Sequence, residues 1–177
     1  VVKNVTGYDL SKLVTGSFGT LVALTEVVLK VLPKKNLSNT ITIHTEDKKL
    51  VNELFEKISS SSSEISGAVY IPDEPQDENY KHNKEMVFKF NDLESKGSFL
   101  ALRIEGDKVS IDERIKALTQ ELELNKLNIS ILDVYQSVPF WKKINNLELF
   151  AETKNNLLRA VIPPSKGNEL MQKLGNK

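Results

Sequence analysis

The sequence predicts an α+β protein in which an antiparallel or mixed β-sheet is covered by helices on one face. Short segments with apolar residues at every second position alternate with longer ones whose apolar residues recur every three or four positions. Two strand–helix–strand units of this kind follow one another after residue 37. The composition, with 40% hydrophobic and 27% charged residues, is typical of a folded globular chain and not of a disordered one.

The first part of the chain differs from the rest in composition and in the pattern of its apolar residues. A nearly continuous apolar run rich in β-branched residues extends from Thr20 to Pro33, which predicts a strand buried on both faces. A short helical turn is expected before it, from Leu10 to Leu13. Because Lys34 to Asn36 reads as a linker, we expect one domain over residues 1–36 and another over residues 37–177.

The second domain opens with a strand from Thr40 to His44, in which Ile41 and Ile43 share a face. An amphipathic helix follows from Glu46 to Ile58, with Thr45 as its expected N-cap. The serine run 59–63 should end this helix, because serine side chains compete for backbone hydrogen bonds. A second strand is expected over residues 65–71.

The remaining elements are predicted in turn along the chain. They are a surface loop (72–85), a short strand (86–90), a strand (98–105), a helix opened by a capping box at residues 110–113, a strand (129–134), a helix (137–147) with Pro139 in its first turn, a strand (157–162) and a helix from residue 165. This order suggests an α+β sandwich of ferredoxin-like style.

Composition excludes several kinds of site. The chain contains no cysteine, so it can form neither a disulfide nor a thiolate metal centre. Lysine plus arginine (24) equals aspartate plus glutamate (24), which gives no overall field for attracting nucleic acid. His44 and His82 have no partner at helical ligand spacing, and both are expected on the surface. With no apolar run of spanning length and no secretory signal in these residues, a cytoplasmic protein is the expectation.

A glycine-rich turn precedes the apolar run, from Gly16 to Thr20. Glycine permits positive φ angles and lets a ligand approach the backbone, whose N–H groups can then donate to a phosphate or a flavin carbonyl. The spacing is neither that of the dinucleotide-binding fingerprint nor that of a P-loop. The pattern alone leaves an ordinary turn and a cofactor site both open.

Four blocks of the opening segment together resemble a known flavoprotein family. They are Val2 to Leu10, Gly16 to Leu21, Leu24 to Glu26, and Lys30 to Pro33. In this order and spacing they are similar to the FAD-binding subunits E of bacterial glycolate oxidases, in the vanillyl-alcohol oxidase superfamily. The resemblance covers about 33 residues, and a weaker similarity to the cap domain of these proteins follows, at 100–106 and 140–141.

The resemblance implies which residues face the cofactor. The matching positions are Gly7, Tyr8, Asp9, Gly16, Ser17, Gly19, Thr20, Leu24 and Thr25. For Tyr8 and Asp9 a structural role is equally open, with the tyrosine packed and the aspartate capping the short helix. One position departs from the family, since Val22 stands where glycine is usual, and its side chain could crowd the flavin.

The resemblance also implies an incomplete site. In the family a glycine-rich stretch upstream of these blocks holds the FAD pyrophosphate, and an Asn-Pro-Gly element follows the cap; neither occurs in these 177 residues. We therefore expect a piece of a flavoprotein, formed by the C-terminal part of the FAD-binding domain (1–36) and a ferredoxin-like cap (37–177). Alone it should not bind FAD tightly.

The implied function is that of an FAD-linked oxidoreductase subunit supporting the oxidation of glycolate, a small 2-hydroxy acid, to glyoxylate. The implied partners are a catalytic flavoprotein subunit and an iron–sulfur subunit, through which the protein could associate with a membrane. Two alternatives remain open. One is a protein-interaction module without flavin. The other is a fragment of a catalytic D-2-hydroxy-acid dehydrogenase, although the histidine-containing metal motif of those enzymes does not occur in this sequence.

Overall fold

The computed structural model describes residues 7–31, 33–73, 78–88, 97–152, 154, 156–163, 166, 167, 169, 170 and 173. The chain divides into two compact units. The first, called the opening unit, comprises Val1–Lys34; the second, called the sheet unit, comprises Lys35–Lys177. Each is described separately below.

The opening unit contains one short helix, α1 (Leu10–Val14). The main elements of the sheet unit are β1 (Leu37–His44), α2 (Lys48–Ser60), β2 (Gly67–Ile71), α3 (Glu78–Val87), β3 (Phe99–Gly106), α4 (Lys108–Glu121), β4 (Asn128–Leu132) and α5 (Val134–Asn145). Two short 3₁₀ turns, Leu124–Lys126 and Glu148–Phe150, follow α4 and α5.

The four strands form one antiparallel sheet in the order β2-β3-β1-β4. In the register of the central pair, Ile41 lies opposite Leu102 and Ile43 opposite Leu100. Because β3 runs antiparallel to both β1 and β2 and lies between them, β1-α2-β2 is a split β-α-β unit, and β3-α4-β4 is interlocked with it in the same way. The predicted α+β class with an antiparallel sheet is confirmed.

Apolar clusters lie on both faces of this sheet. On one face, strand residues Ile41, Ile43, Leu100 and Leu102 contact the helices α2 and α4 through residues such as Leu54. The opposite face carries a second cluster, which includes Phe99, Val87, Phe140 and Trp141 from β3, α3 and α5. The expectation that helices cover one face is therefore wrong in this respect, since the alternation of β3 places large apolar residues on both sides.

Aspartates cap α2, α4 and α5 of the sheet unit. The Asp47 carboxylate accepts hydrogen bonds from the amides of Lys49 (2.9 Å) and Leu50 (3.3 Å), so α2 begins after Asp47 and not after the expected Thr45. Asp107 accepts from the Ser110 amide (3.0 Å), which replaces the predicted capping box of residues 110–113. Aspartate is among the strongest N-cap residues, and its carboxylate is also favoured at the positive end of the helix dipole.

The start of α5 and the end of α2 also differ from expectation. Asp133 and Gln136 form a capping box at the start of α5, which therefore begins three residues earlier than expected. Pro139 then lies in the second turn of α5, not in the first. The serine run ends α2 as predicted, but only at Ser61, since Ser60 is still helical and donates to the Lys57 carbonyl (3.0 Å).

Helix α3 occupies residues where a loop (72–85) and a strand (86–90) were expected. Its buried residues Tyr80, Asn83, Lys84 and Val87 follow helical spacing, but two of them are polar, so their apolar stripe was not recognisable. Lys84 is buried because its ammonium group donates to the Asp73 carboxylate (2.7 Å) and the Gly97 carbonyl (2.8 Å). The remainder of the predicted strand, 89–90, lies outside the described residues.

Two predicted strands are absent from the described part of the chain. Residues 20–31 and 33 of the opening unit, and residues 156–163 of the sheet unit, have neither helical nor strand structure. Their apolar side chains are exposed, for example Val28, Leu29 and Leu158. A strand requires a neighbour to pair with its backbone and cover its faces, and none of the four described strands pairs with either segment. The expected last helix agrees with the helical structure of residues 167, 169, 170 and 173.

His44 is partly buried, and Trp141 is buried. His44 is half-buried beside the Phe99 ring, and burial, followed by the nearby positive charge of Lys84, lowers the pKa of His44. This histidine is therefore only partly at the surface. Trp141 is buried, and its indole N–H donates to the Thr40 hydroxyl (2.8 Å), while His82 is exposed as expected.

Tyr80 of α3 should ionise only in strongly alkaline solution. Burial, followed by the neighbouring Asp73 and Tyr70, raises the pKa of Tyr80 to about 12, and its hydroxyl donates to the Pro72 carbonyl (3.0 Å). Because the folded pKa exceeds the ordinary value of 10.0, the neutral form stabilises the fold below pH 10.0 and this contribution is lost as the pH rises to about 12. Phenolate absorbance should show a transition near pH 12 that Tyr80→Phe removes. A Tyr80 transition at its ordinary pH would contradict the assignment.

Candidate functional site

The candidate site begins at the short helix α1 of the opening unit. Its N-cap is Asp9, whose carboxylate accepts a hydrogen bond from the Lys12 amide (3.2 Å) and lies 3.2 Å from the Lys12 ammonium group. The Lys12 amide, and then the Lys12 side chain, hold the pKa of Asp9 below its usual value. The local role of Asp9 is therefore to start α1, which agrees with the structural alternative for this residue.

A compact turn follows α1 directly. The amide of Ser17 donates to the Val14 carbonyl (3.1 Å), and the amide of Thr20 donates to the Ser17 carbonyl (3.0 Å). The Thr20 hydroxyl donates to the same Ser17 carbonyl (2.6 Å). We call residues 16–20 the glycine turn, and these bonds fix its course.

Three residues of the glycine turn have left-handed backbone conformations. The φ angles are +80° at Gly16, +50° at Phe18 and +75° at Gly19. The two glycines adopt this conformation without a steric penalty, which explains their place in the turn. Phe18 does not have that freedom, so its backbone conformation is imposed by its neighbours.

The glycine turn presents an open backbone surface. A Cβ atom added at Gly16 or at Gly19 would have no other atom within 4 Å. Within the described part of the chain, the amides of Phe18 and Gly19 donate no hydrogen bond. The turn can therefore accept a ligand against its backbone and offer it two N–H donors.

Exposed apolar side chains surround and follow the glycine turn. Tyr8 is 93% exposed and Phe18 is 98% exposed. The apolar run is also largely exposed, with Leu21, Val22, Leu24, Val27, Val28, Leu29 and Val31 contributing. Such a dense set of exposed large apolar residues is typical of a surface that another molecule or domain covers.

The structure places the nine sequence-predicted site residues in the opening unit, in three groups. Gly7, Tyr8 and Asp9 precede or cap α1; Gly16, Ser17, Gly19 and Thr20 belong to the glycine turn; Leu24 and Thr25 lie in the following extended segment. Tyr8 is exposed, so the packed alternative for its side chain is wrong. Within the second group, hydrogen bonds join Thr20 to Ser17, whereas no hydrogen bond between described residues joins Leu24 or Thr25 to this group. The predicted contact of these residues with a cofactor stays a prediction.

Phe18 lies between the predicted residues Ser17 and Gly19 but is not itself among the residues that the sequence predicts for the site. Its aromatic ring is the most exposed large apolar side chain of the described residues. In the sequence, only its position close to Gly16 and Gly19 indicates a place in the site. The residue type alone indicates neither an exposed side chain nor a positive φ angle.

The described residues include pockets but neither a cluster of metal-ligating side chains nor a membrane-spanning helix. The described residues contain no cluster of three or more histidine, aspartate or glutamate side chains that could hold a metal ion. Two pockets, of about 190 and 260 Å³, occur in the sheet unit, and none of the nine predicted residues lines them. No helix among the described residues has the length and apolar character needed to cross a bilayer.

Comparison with known proteins gives one informative similarity. No family model matches the chain. A stretch of 38 residues is 58% identical to glycolate oxidase subunit GlcE of Escherichia coli (strain K12). This stretch is 22% of the chain and covers 11% of the length of GlcE, so most of that protein has no counterpart in the match. The similarity relates part of the chain to an oxidase subunit.

Proposed function

We propose that this chain is part of an FAD-linked oxidoreductase subunit of the glycolate oxidase type. The open glycine turn carries the proposal. Two of its N–H groups have no hydrogen-bond acceptor among the described residues, and exposed apolar side chains lie beside it. The 38-residue similarity to subunit GlcE supports it, because that protein is named as a glycolate oxidase subunit. The opening unit is then one wall of an FAD site, and the sheet unit is the cap domain.

The residues of the glycine turn suit a flavin cofactor. Flavin carbonyls and the pyrophosphate are hydrogen-bond acceptors. They match the amides of Phe18 and Gly19, which donate to no described residue. The absence of a side chain at Gly16 and Gly19 leaves room for the close approach of a planar ring. The apolar residues of the following segment would exclude water from that ring, and FAD when bound would supply the electron acceptor for alcohol oxidation.

We assign to this chain a supporting role in the reaction. Asp9 is the one carboxylate among the nine predicted residues, and it is engaged in capping α1. The predicted site therefore offers no free carboxylate to act as a general base. The oxidation of the 2-hydroxy acid to the 2-oxo acid is assigned to a catalytic flavoprotein subunit, and onward electron transfer to an iron–sulfur subunit. The complex would lie in the cytoplasm, or at a membrane through these partners.

Flavin content tests the proposed function. The full-length polypeptide that includes this chain is purified, incubated with FAD, separated from free FAD and examined for flavin absorbance. We expect stoichiometric bound FAD and no glycolate-dependent dye reduction without the partner subunits. Full-length protein that folds but retains no FAD would contradict the proposal and favour a docking module. Dye reduction by the subunit alone would favour the catalytic dehydrogenase instead.

Val22 should weaken flavin binding, because it adds a branched side chain where the resembling family has glycine. Its side chain is 43% exposed, so it projects in part toward whatever covers the segment. In the full-length polypeptide, Val22→Gly should lower the Kd for FAD about threefold to tenfold. Val161→Gly, at an exposed site of the sheet unit outside this apolar run, serves as the control. An unchanged Kd for Val22→Gly would show that the valine does not crowd the cofactor.

A further inference from the structure

We propose that Phe18 is a positioning residue whose ring lies against the flavin ring system and orients it toward the amides of the glycine turn. The inference rests on the proposed function, and it concerns a residue that the resemblance did not assign. It is carried by the backbone conformation of Phe18, by the exposure of its ring and by the two amides beside it.

The backbone of the turn aims the Phe18 side chain outward. Phe18 has a φ angle of +50°, between Gly16 at +80° and Gly19 at +75°. A non-glycine residue adopts this conformation only at a cost, and such residues concentrate where a ligand is held. The bonds from the Thr20 amide and hydroxyl to the Ser17 carbonyl close the turn around Phe18 and maintain that conformation.

The exposure of the Phe18 ring sets it apart from the other phenylalanines. The five others that the structure describes are buried or half-buried: Phe55, Phe88, Phe99, Phe140 and Phe150. Phe18 is 98% exposed, and Tyr8 is the other strongly exposed aromatic residue of the opening unit. An aromatic ring gains from stacking on another flat ring in an offset or edge-on arrangement, which a flavin provides.

The amides of Phe18 and Gly19 favour a flavin over an apolar pocket of another protein as the group that covers the Phe18 ring. In the part of the chain that the structure describes, no group accepts a hydrogen bond from the amide of Phe18 or from that of Gly19, which follows it. A purely apolar pocket closing over the Phe18 ring would bury both donors without acceptors, which is costly. A flavin combines a flat ring system with carbonyl oxygens, so it can cover the ring and pair with the amides at the same time.

The test compares FAD affinity with the stability of the FAD-free protein. In the full-length polypeptide, Phe18→Leu keeps an apolar side chain without the ring, and Phe18→Ala removes both. Val161→Ala is a control at an exposed apolar site of the sheet unit, outside the proposed flavin surface. The Kd is measured by titration of flavin fluorescence, and the unfolding temperature is measured without FAD. We expect the Kd to rise about tenfold for Phe18→Ala and about threefold for Phe18→Leu. Val161→Ala should leave the Kd unchanged, and the unfolding temperatures of all variants should agree.

Each other outcome has a defined meaning. An unchanged Kd for both Phe18 variants would overturn the inference while leaving the proposed function intact. A lower unfolding temperature with unchanged Kd would show that Phe18 anchors a protein contact, which also overturns it. If Phe18→Ala does not fold, the leucine variant decides by the same criteria. An unsubstituted full-length protein that binds no FAD would overturn both this inference and the proposed function.

Discussion

Replacing Phe140 by alanine should lower the free energy of unfolding of the sheet unit by about 3–5 kcal/mol. The Phe140 side chain is fully buried on the face of the sheet covered by α3 and α5. Its ring lies edge-on to Trp141, with 5.3 Å between centroids, and 5.4 Å from that of Phe88. Alanine would remove these contacts and leave a cavity, and the surrounding close-packed residues can relax into it only partly.

A matched control for this substitution lies on the same helix. Tyr135 of α5 is 84% exposed, so Tyr135→Ala should change the free energy of unfolding by less than about 0.5 kcal/mol. Denaturant unfolding followed by the fluorescence of Trp141, the single tryptophan, measures both variants. Similar losses for Phe140→Ala and Tyr135→Ala would contradict the assignment of a core to this face of the sheet.

Replacing Gly19 by valine should raise the Kd for FAD of the full-length polypeptide roughly 10- to 100-fold. Gly19 has a φ angle of +75°, which a β-branched residue adopts only at high cost. The new side chain would also extend over the open surface, where a Cβ has no neighbour within 4 Å. Both effects oppose a ligand that approaches the backbone.

The control for Gly19→Val separates strain from contact. Asparagine tolerates the left-handed conformation better than valine does but still places a side chain over the open surface, so Gly19→Asn should weaken FAD binding less than Gly19→Val does. Trp141 belongs to the sheet unit, and its unfolding transition should be the same in both variants. Equal Kd values for the valine variant and the unsubstituted protein would place the cofactor elsewhere.

The strands of the sheet were predictable because alternation is strong where apolar residues face a helix layer. Ile41 and Ile43 of β1, and Leu100 and Leu102 of β3, all contact the cluster around α2 and α4. The opposite face was not predictable from the same alternation. Phe99 and Ala101 of β3 are also buried, and a strand that is apolar on both sides does not reveal which side a helix covers.

Helix α3 was missed because tertiary contacts stabilise its polar residues. Lys84 can be buried because its ammonium group donates hydrogen bonds to the Asp73 carboxylate and the Gly97 carbonyl. Both partners are more than ten residues away in sequence, so nothing local indicated an inward-facing lysine. Conversely, the apolar composition of residues 20–33 predicts a buried strand. Burial also requires a layer of other residues to cover the strand, and composition does not show whether such a layer exists.

The sequence predicts the residue types of the candidate site, but it does not predict which backbone and side-chain groups of the site are exposed. Glycine at positions 16 and 19 indicated positive φ angles, which the structure confirms. That Phe18 shares this conformation, and that the amides of Phe18 and Gly19 are unpaired within the described chain, depends on the hydrogen bonds of the turn. Those bonds follow from the path of the backbone, which the sequence pattern did not specify.

Hydrogen exchange at the glycine turn tests the central proposal most directly. Exchange of the backbone amides is compared in the full-length polypeptide with and without a saturating concentration of FAD. We expect the amides of Phe18 and Gly19 to exchange rapidly without FAD and to become protected when it binds, while buried amides of β3 stay unchanged. If FAD binds and these two amides still exchange as rapidly as before, the glycine turn is not a wall of the flavin site.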